Sequence, residues 1–268
     1  MRIWIVGPIA WDTVLYLNSI PQTGGFTHAK KHEERPGGQA LNIATALANS
    51  GFDVGLSGYV GNDAIGSELL TVINSGMINI SDVKIFDYPT PHVVVMVDDS
   101  GERTMIGMEK SHFGEIEINI DLIKAEDLVV FPIWRSGMKR DFSRIKDKGC
   151  RTIVGLGAIS EDIQADVAIG SAWELPSDFI PEKYASNFPR IIATNNENGS
   201  TEYNQNGVLH HPALSAQVID TTGAGDAFVC GVIKAFVEGK TSKEALEMAA
   251  TWSAKTVASP SSVPTTWI

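Results

Sequence analysis

The chain has 268 residues, is 43% hydrophobic and 20% charged, and carries a formal net charge of −11. That length and balance suit one α/β domain with a smaller appendage, and the negative charge argues against nucleic acid or an anionic membrane as partner. No apolar run reaches the roughly 20 residues that span a bilayer, and two distant cysteines, Cys150 and Cys230, read as buried thiols of a reducing, cytoplasmic compartment.

The N-terminus reads as a first strand, Ile3–Val6, and not as a secretion signal. Gly7-Pro8-Ile9-Ala10-Trp11-Asp12 then sets a carboxylate just past that strand's C-terminal end, the edge where open α/β sheets bind ligands. Residues 13–36 are strand-like and then polar. Their run Lys30–Arg35, interleaved with Glu33 and Glu34, reads as a solvated face. Gly37-Gly38 enters a helix, Gln39–Asn49, with Leu41, Ala44, Leu47 and Ala48 on one face and Ser50-Gly51 as its stop. The glycines permit close ligand approach and Asn42 offers both a donor and an acceptor. Asp12, Gly37, Gly38 and Asn42 would line a site for a polyhydroxylated molecule, although each taken singly is equally a turn or a cap.

The strand Val54–Val60 leads to a helix capped by Asp63, with Ile65, Leu69 and Ile73 on one side. Residues 90–108 read as a hairpin, His92–Val97, a turn at Asp98–Gly101, and Glu102–Met108. Together with 13–36 they predict a small antiparallel sheet laid over one end of the core. Leu128–Phe131, Thr152–Leu156 and Ile191–Thr194 continue the strand–helix alternation and imply a mostly parallel sheet covered on both faces. The predicted division is a core of 1–12, 37–89 and 109–268 and a lid of 13–36 and 90–108.

Several motifs are set aside. Gly155-Leu-Gly157 lacks the third glycine and the apolar helix of a dinucleotide site. Gly239-Lys240-Thr241 follows a helix, with Lys234 where a P-loop needs glycine. The histidines show no metal-ligand spacing, and His210-His211 before Pro212 reads as a surface turn.

The most informative stretch is Ile219–Phe228. A flexible Gly223-Ala224-Gly225 turn is followed by Asp226, and then Val229, Val232, Ile233, Phe236 and Val237 fall at helical spacing. The turn therefore sits at a helix N-terminus, where unpaired amides and the dipole attract an anion. A carboxylate beside an anion site suits a base that takes a proton from a hydroxyl attacking a phosphate. Thr241-Ser-Lys-Glu244 is a capping box that opens the last helix.

Two stretches in the expected order carry a family resemblance. Asp220-Thr221-Thr222-Gly223-Ala224-Gly225-Asp226-Ala227-Phe228 is one, and Gly37-Gly38 with Asn42, then Gly58-Tyr-Val60-Gly61-Asn-Asp63-Ala-Ile-Gly66, is the other. Both are similar to the signatures of the ribokinase family of sugar kinases, also called the phosphofructokinase-B family. The resemblance implies a three-layer α/β/α sandwich with a β-sheet lid, and ATP-dependent phosphorylation of a hydroxymethyl group on a small sugar. It makes Asp226 the general base and the amides of Gly223, Ala224, Gly225 and Asp226 the anion hole. Asp12, Gly37, Gly38, Asn42 and Arg103 would hold the acceptor, and Thr194, Asn196 and Gly199, with Gly223 and Gly225, the nucleotide. Glu174 would hold Mg2+ through water, beside Ser171 where the family has asparagine. Asp220 and Thr222 would take a monovalent cation, but the partner loop Ala258-Ser259-Pro260-Ser261 lacks its usual glycine, which leaves K+ open. The implied partners are a sugar and a second copy of the chain through the lid. Trp11 beside Asp12 keeps a nucleoside kinase open, and the changes at Ser171 and Asn196 keep a non-catalytic sensor open.

Overall fold

The computed structural model describes residues 1–74, 77–110, 112–259 and 263. The chain starts with β1 (Ile3–Val6), β2 (Ala10–Tyr16), β3 (Lys31–Gly37) and α1 (Gln39–Asn49). Then come β4 (Val54–Gly61), α2 (Ala64–Asn74), β5 (Ile78–Phe86), β6 (His92–Val97) and β7 (Arg103–Gly107). The middle of the chain forms β8 (Leu128–Phe131), α3 (Lys139–Asp147), β9 (Arg151–Gly155), β10 (Val167–Ser171) and α4 (Pro181–Tyr184). It ends with β11 (Arg190–Thr194), β12 (Ser200–Asn204), β13 (Gly207–His211), α5 (Ala224–Val237) and α6 (Ser242–Val257).

Nine strands form one sheet in the order β13-β12-β11-β10-β9-β8-β1-β4-β5. From β11 to β5 every pairing is parallel, and only the β11–β12 and β12–β13 pairings are antiparallel. The central strands are apolar on both faces, as a doubly covered parallel sheet requires. Ile3, Ile5, Leu128 and Val130 face the layer of α1, α5 and α6, while Trp4, Val6, Val129 and Phe131 face the layer containing Phe142 and Ile145 of α3. This is the three-layer α/β/α sandwich expected from the sequence. In the first layer α5 lies close on α6, where a Cβ on Gly231 would come 2.5 Å from Ala249 Cα.

The remaining four strands form a separate sheet in the order β3-β2-β6-β7, which is mixed and not antiparallel throughout as expected, because its two antiparallel pairs meet with β2 parallel to β6. Its core is Val14, Val95 and Val97, all nearly fully buried. Asp12 lies within this sheet, in β2, and not at the end of β1. The two residues Gly7 and Pro8 carry the chain out of β1, and β2 has begun by Ala10. A second correction concerns His210 and His211. They belong to β13, because Asn206-Gly207, with Gly207 at φ 114°, closes a hairpin that pairs Thr201 with His210. No described helix is long and apolar enough to cross a membrane.

Candidate active site

Asp226 stands in the first turn of α5, behind Gly223, which takes the left-handed φ of 78° that turns the chain into the helix. The Ala224 amide reaches Thr221 O at 3.3 Å and the Ala227 amide reaches Gly223 O at 2.8 Å. The intervening amides of Gly225 and Asp226 donate to none of the described residues, so they remain available to an anion. A Cβ on Gly225 would meet no atom within 4 Å. Packing therefore does not require glycine there.

The Asp226 carboxylate is held from α1. Asn42 Nδ2 donates to its Oδ2 at 2.8 Å, and Gln39 also donates to it. Burial pushes the Asp226 carboxyl up to about 6, against the pull of Asn42, Gln39 and the Arg103 charge, and Asp12 adds to the rise. Gln39 carried no signal in the sequence beyond its place in the first turn of α1.

Asp12 reaches the same region from the small sheet. It is 6% exposed, and burial pushes its carboxyl up to about 6 although Arg35 and His92 pull it down. Gly37 of β3 lies beside it, and a Cβ there would overlap the Asp12 carboxylate at 2.2 Å. Gly38, at φ 89°, lets β3 pass within 2.6 Å (measured from an added Cβ) of Pro8 O before α1 starts. Asp12, Asn42 and Asp226 are thereby gathered from β2, α1 and α5. Trp11 is 9% exposed, packs in the main core and donates from Nε1 to Glu34 Oε2 at 2.5 Å, so its ring is committed.

The small sheet is fastened to the Asp220–Asp226 turn at two points. Arg103 Nη1 donates to Thr221 Oγ1 at 2.8 Å, and Thr221 Oγ1 donates to Gly101 O at 3.1 Å. Arg35 Nη2 donates to Asp220 Oδ2 at 3.3 Å. Arg35 thus departs from the solvated face read for Lys30–Arg35. Lys31 follows that reading with 62% side-chain exposure, whereas Arg35 has 13%.

Ser171 and Thr194 are register partners at the C-terminal ends of β10 and β11. Thr194 Oγ1 donates to Gly170 O at 3.2 Å, and Glu174 Oε1 accepts from the Ser171 amide at 2.8 Å. These carboxylate and hydroxyl oxygens are hard donors that suit the water shell of Mg2+. Asn196 adopts φ 46°, a left-handed value open to asparagine, and Gly199 follows at φ 83°. Asp220 does not fit a resident monovalent cation. Its Oδ1 accepts from the Thr222 amide at 2.7 Å and its Oδ2 faces Arg35. Pro260 and Ser261 of the expected partner loop lie outside the described residues.

Comparison with known proteins gives the family and the fold. The family described as pfkB family carbohydrate kinase matches residues 3–131 and 182–267. An ATP-dependent ribose-1-phosphate kinase of Halopiger xanaduensis is 28% identical over 265 residues, covering 93% of this chain and 89% of the relative. A nucleoside kinase of Methanothermobacter thermautotrophicus is 25% identical over 257 residues, covering 87% and 82%. The solved structure of Arabidopsis thaliana ribokinase complexed with ribose and ATP matches with a TM-score of 0.75 at 22% identity, over 98% of this chain and 95% of that one. Its likeness lies in the fold. With the family matched on both sides of the fold and Asp226 set at the mouth of α5, the chain belongs to the pfkB family of carbohydrate kinases.

Proposed function

We propose that this kinase transfers the γ-phosphoryl group of ATP to a hydroxymethyl group of a small sugar or sugar derivative, with Asp226 as general base. The observation that carries the reading is the meeting of an uncommitted anion site with a raised carboxyl on one helical turn. Asp226 takes the proton from the acceptor hydroxyl as its oxygen bonds to phosphorus and the bond to the departing ADP breaks. The amides of Gly225 and Asp226, at the positive end of the α5 dipole, stabilise charge on the transferring group. Asn42 and Gln39 orient the base, and Asp12 and Asn42 offer hydrogen bonds to sugar hydroxyls. The nucleotide would lie towards Thr194, Asn196 and Gly199, with Glu174 and Ser171 holding Mg2+ through its waters; the metal would neutralise phosphate charge. The small sheet serves as a lid over the acceptor. Its edge strand β7, with Met105 and Ile106 more than half exposed, supports a homodimer formed lid to lid. The buried free thiols and acidic charge support a cytoplasmic setting.

The test is ADP release against ribose, fructose, a fructose–amine adduct, ribose 1-phosphate and adenosine. Asp226→Asn is expected to fold and bind ATP but to lose about 10²–10⁴-fold in turnover. Near-normal turnover in that variant would remove Asp226 from the chemistry. A nucleoside preference would select the second reading, which the Methanothermobacter relative supports. The burial of the Trp11 ring in the main core argues against that reading, because a 9% exposed side chain offers little face to stack on a base.

A further inference from the structure

We propose that Arg35 is a positioning residue that locks the strand beside Asp12 to the turn that carries Asp226. The inference rests on the kinase reading above. Asp220 is 1% exposed, and a carboxylate at that depth needs hydrogen bonds and a countercharge. The Thr222 amide provides one hydrogen bond at 2.7 Å, and Arg35 Nη2 provides the charge at 3.3 Å. Among the described residues no other Lys or Arg forms an ion pair with Asp220. The guanidinium is itself held from behind. Its Nη1 donates to Glu33 Oε1 at 3.3 Å, and Tyr16 donates its hydroxyl to the same oxygen at 3.0 Å. On the other side, the β2–β3 register sets Arg35 directly across from Asp12.

One cation therefore serves two buried carboxylates, one on the acceptor side and one at the root of the phosphoryl turn. The charged groups around Asp12 are Arg35 on β3, His92 on β6, Asp220 before the turn and Asp226 on α5. Three carboxylates meet there, so loss of Arg35 leaves Asp12 and Asp220 repelling each other across the acceptor site. The same guanidinium occupies the electrostatic role that an exchangeable monovalent cation would have at Asp220. The enzyme carries its cation on a side chain and has no need of K+.

The experiment compares the wild type with Arg35→Met, Arg35→Lys, Asp220→Asn and the Arg35→Met/Asp220→Asn double variant. Each is assayed by ADP release across about pH 5 to 9, in KCl and in NaCl at equal ionic strength. Arg35→Met is expected to lower kcat/KM about 100-fold and to move the acid limb of the acceptor KM to higher pH. Arg35→Lys keeps that limb in place. The double variant is expected to recover about tenfold over Arg35→Met, because asparagine needs no countercharge and still accepts from the Thr222 amide. Wild-type activity is expected to be equal in K+ and Na+. Additive single effects, an unmoved limb, or severalfold activation of the wild type by K+ would overturn the proposal. Should Arg35→Met fail to fold, the double variant and the wild-type salt comparison still decide it. Should no acceptor be phosphorylated, the kinase reading fails. The Arg35–Asp220 coupling is then read from a double-mutant cycle in melting temperature and from melting in KCl against NaCl.

Discussion

Asp12 and Asp226 are both carboxyls whose burial lifts them to about 6; Asp220 adds to the rise of Asp12, and Asp12 to that of Asp226. Ionised, they can accept from a sugar hydroxyl; protonated, Asp226 cannot act as a base. Turnover is therefore expected to fall as pH drops through about 6, seen as an acid limb in kcat. For stability the sign is opposite. A folded-state pKa above the unfolded 3.8 means that the folded chain binds the proton more tightly. The resulting stabilisation is complete below the unfolded value and is lost as pH rises through the folded one. Asp12→Asn should accordingly raise unfolding free energy near pH 8 by about 1–3 kcal/mol while weakening acceptor binding. Denaturant melts at pH 8 and pH 4 check this, with the gap closing at about the lower pH. At this scale Asp226 and Asn42 were legible because glycines frame them at helix starts. Arg35 was not, since Lys31, Glu33 and Arg35 share one face of β3 and only the register of β2 with β3 sets Arg35 across from the buried Asp12 and Lys31 across from Tyr16.

At the start of α5, two glycines two residues apart do different work. Gly223 holds φ 78°, where an added side chain costs about 1–2 kcal/mol. Gly225 has open space around its absent Cβ. Gly225→Ala should leave the melting temperature unchanged or slightly raised, since alanine favours a helix by about 0.5–1 kcal/mol, yet lower kcat about tenfold or more by crowding the phosphate. Gly223→Ala should lower both. Melting curves alongside ADP-release kinetics separate the two cases. Of the elements, α1 and β1 were legible to the residue, because their apolar spacing and stop signals agree. The pattern of α5 and the capping box of α6 were equally clear, with Thr241 and Glu244 bonding each other's backbone amides. β5, β10, β12 and β13 were missed. β5, β12 and β13 lie at the two ends of the large sheet, where Asn79, Ser81, Asp82 and Lys84, or Thr201, Glu202 and Asn204, dilute the apolar signal, and β10 inside it is only five residues long and ends in Gly170-Ser171.

On the scale of the molecule, the sandwich and its second sheet follow from alternating elements interrupted by four strands that no helix covers. What the sequence could not convey is how the small sheet touches the large one, because those contacts join residues far apart in the chain. The exposed edge of β7 carries a prediction at this level. Ile106→Lys is expected to shift a lid-to-lid dimer to monomer, read by sedimentation velocity; an unchanged mass would exclude β7 as the interface. Exposed Met105 and Ile106 on an unpaired edge strand would otherwise invite nonspecific pairing.

The bonds that join the two sides of the site span 184 residues from Asn42 to Asp226, 185 from Arg35 to Asp220 and 118 from Arg103 to Thr221. Everything that would hold the acceptor is synthesised more than 100 residues before the turn that would carry out the transfer. During translation, an unfinished chain can display Asp12 and Asn42 but has neither Asp226 nor the amides of α5. The order of synthesis would thus act as a safety catch: a product interrupted before Asp226 would lack the proposed base.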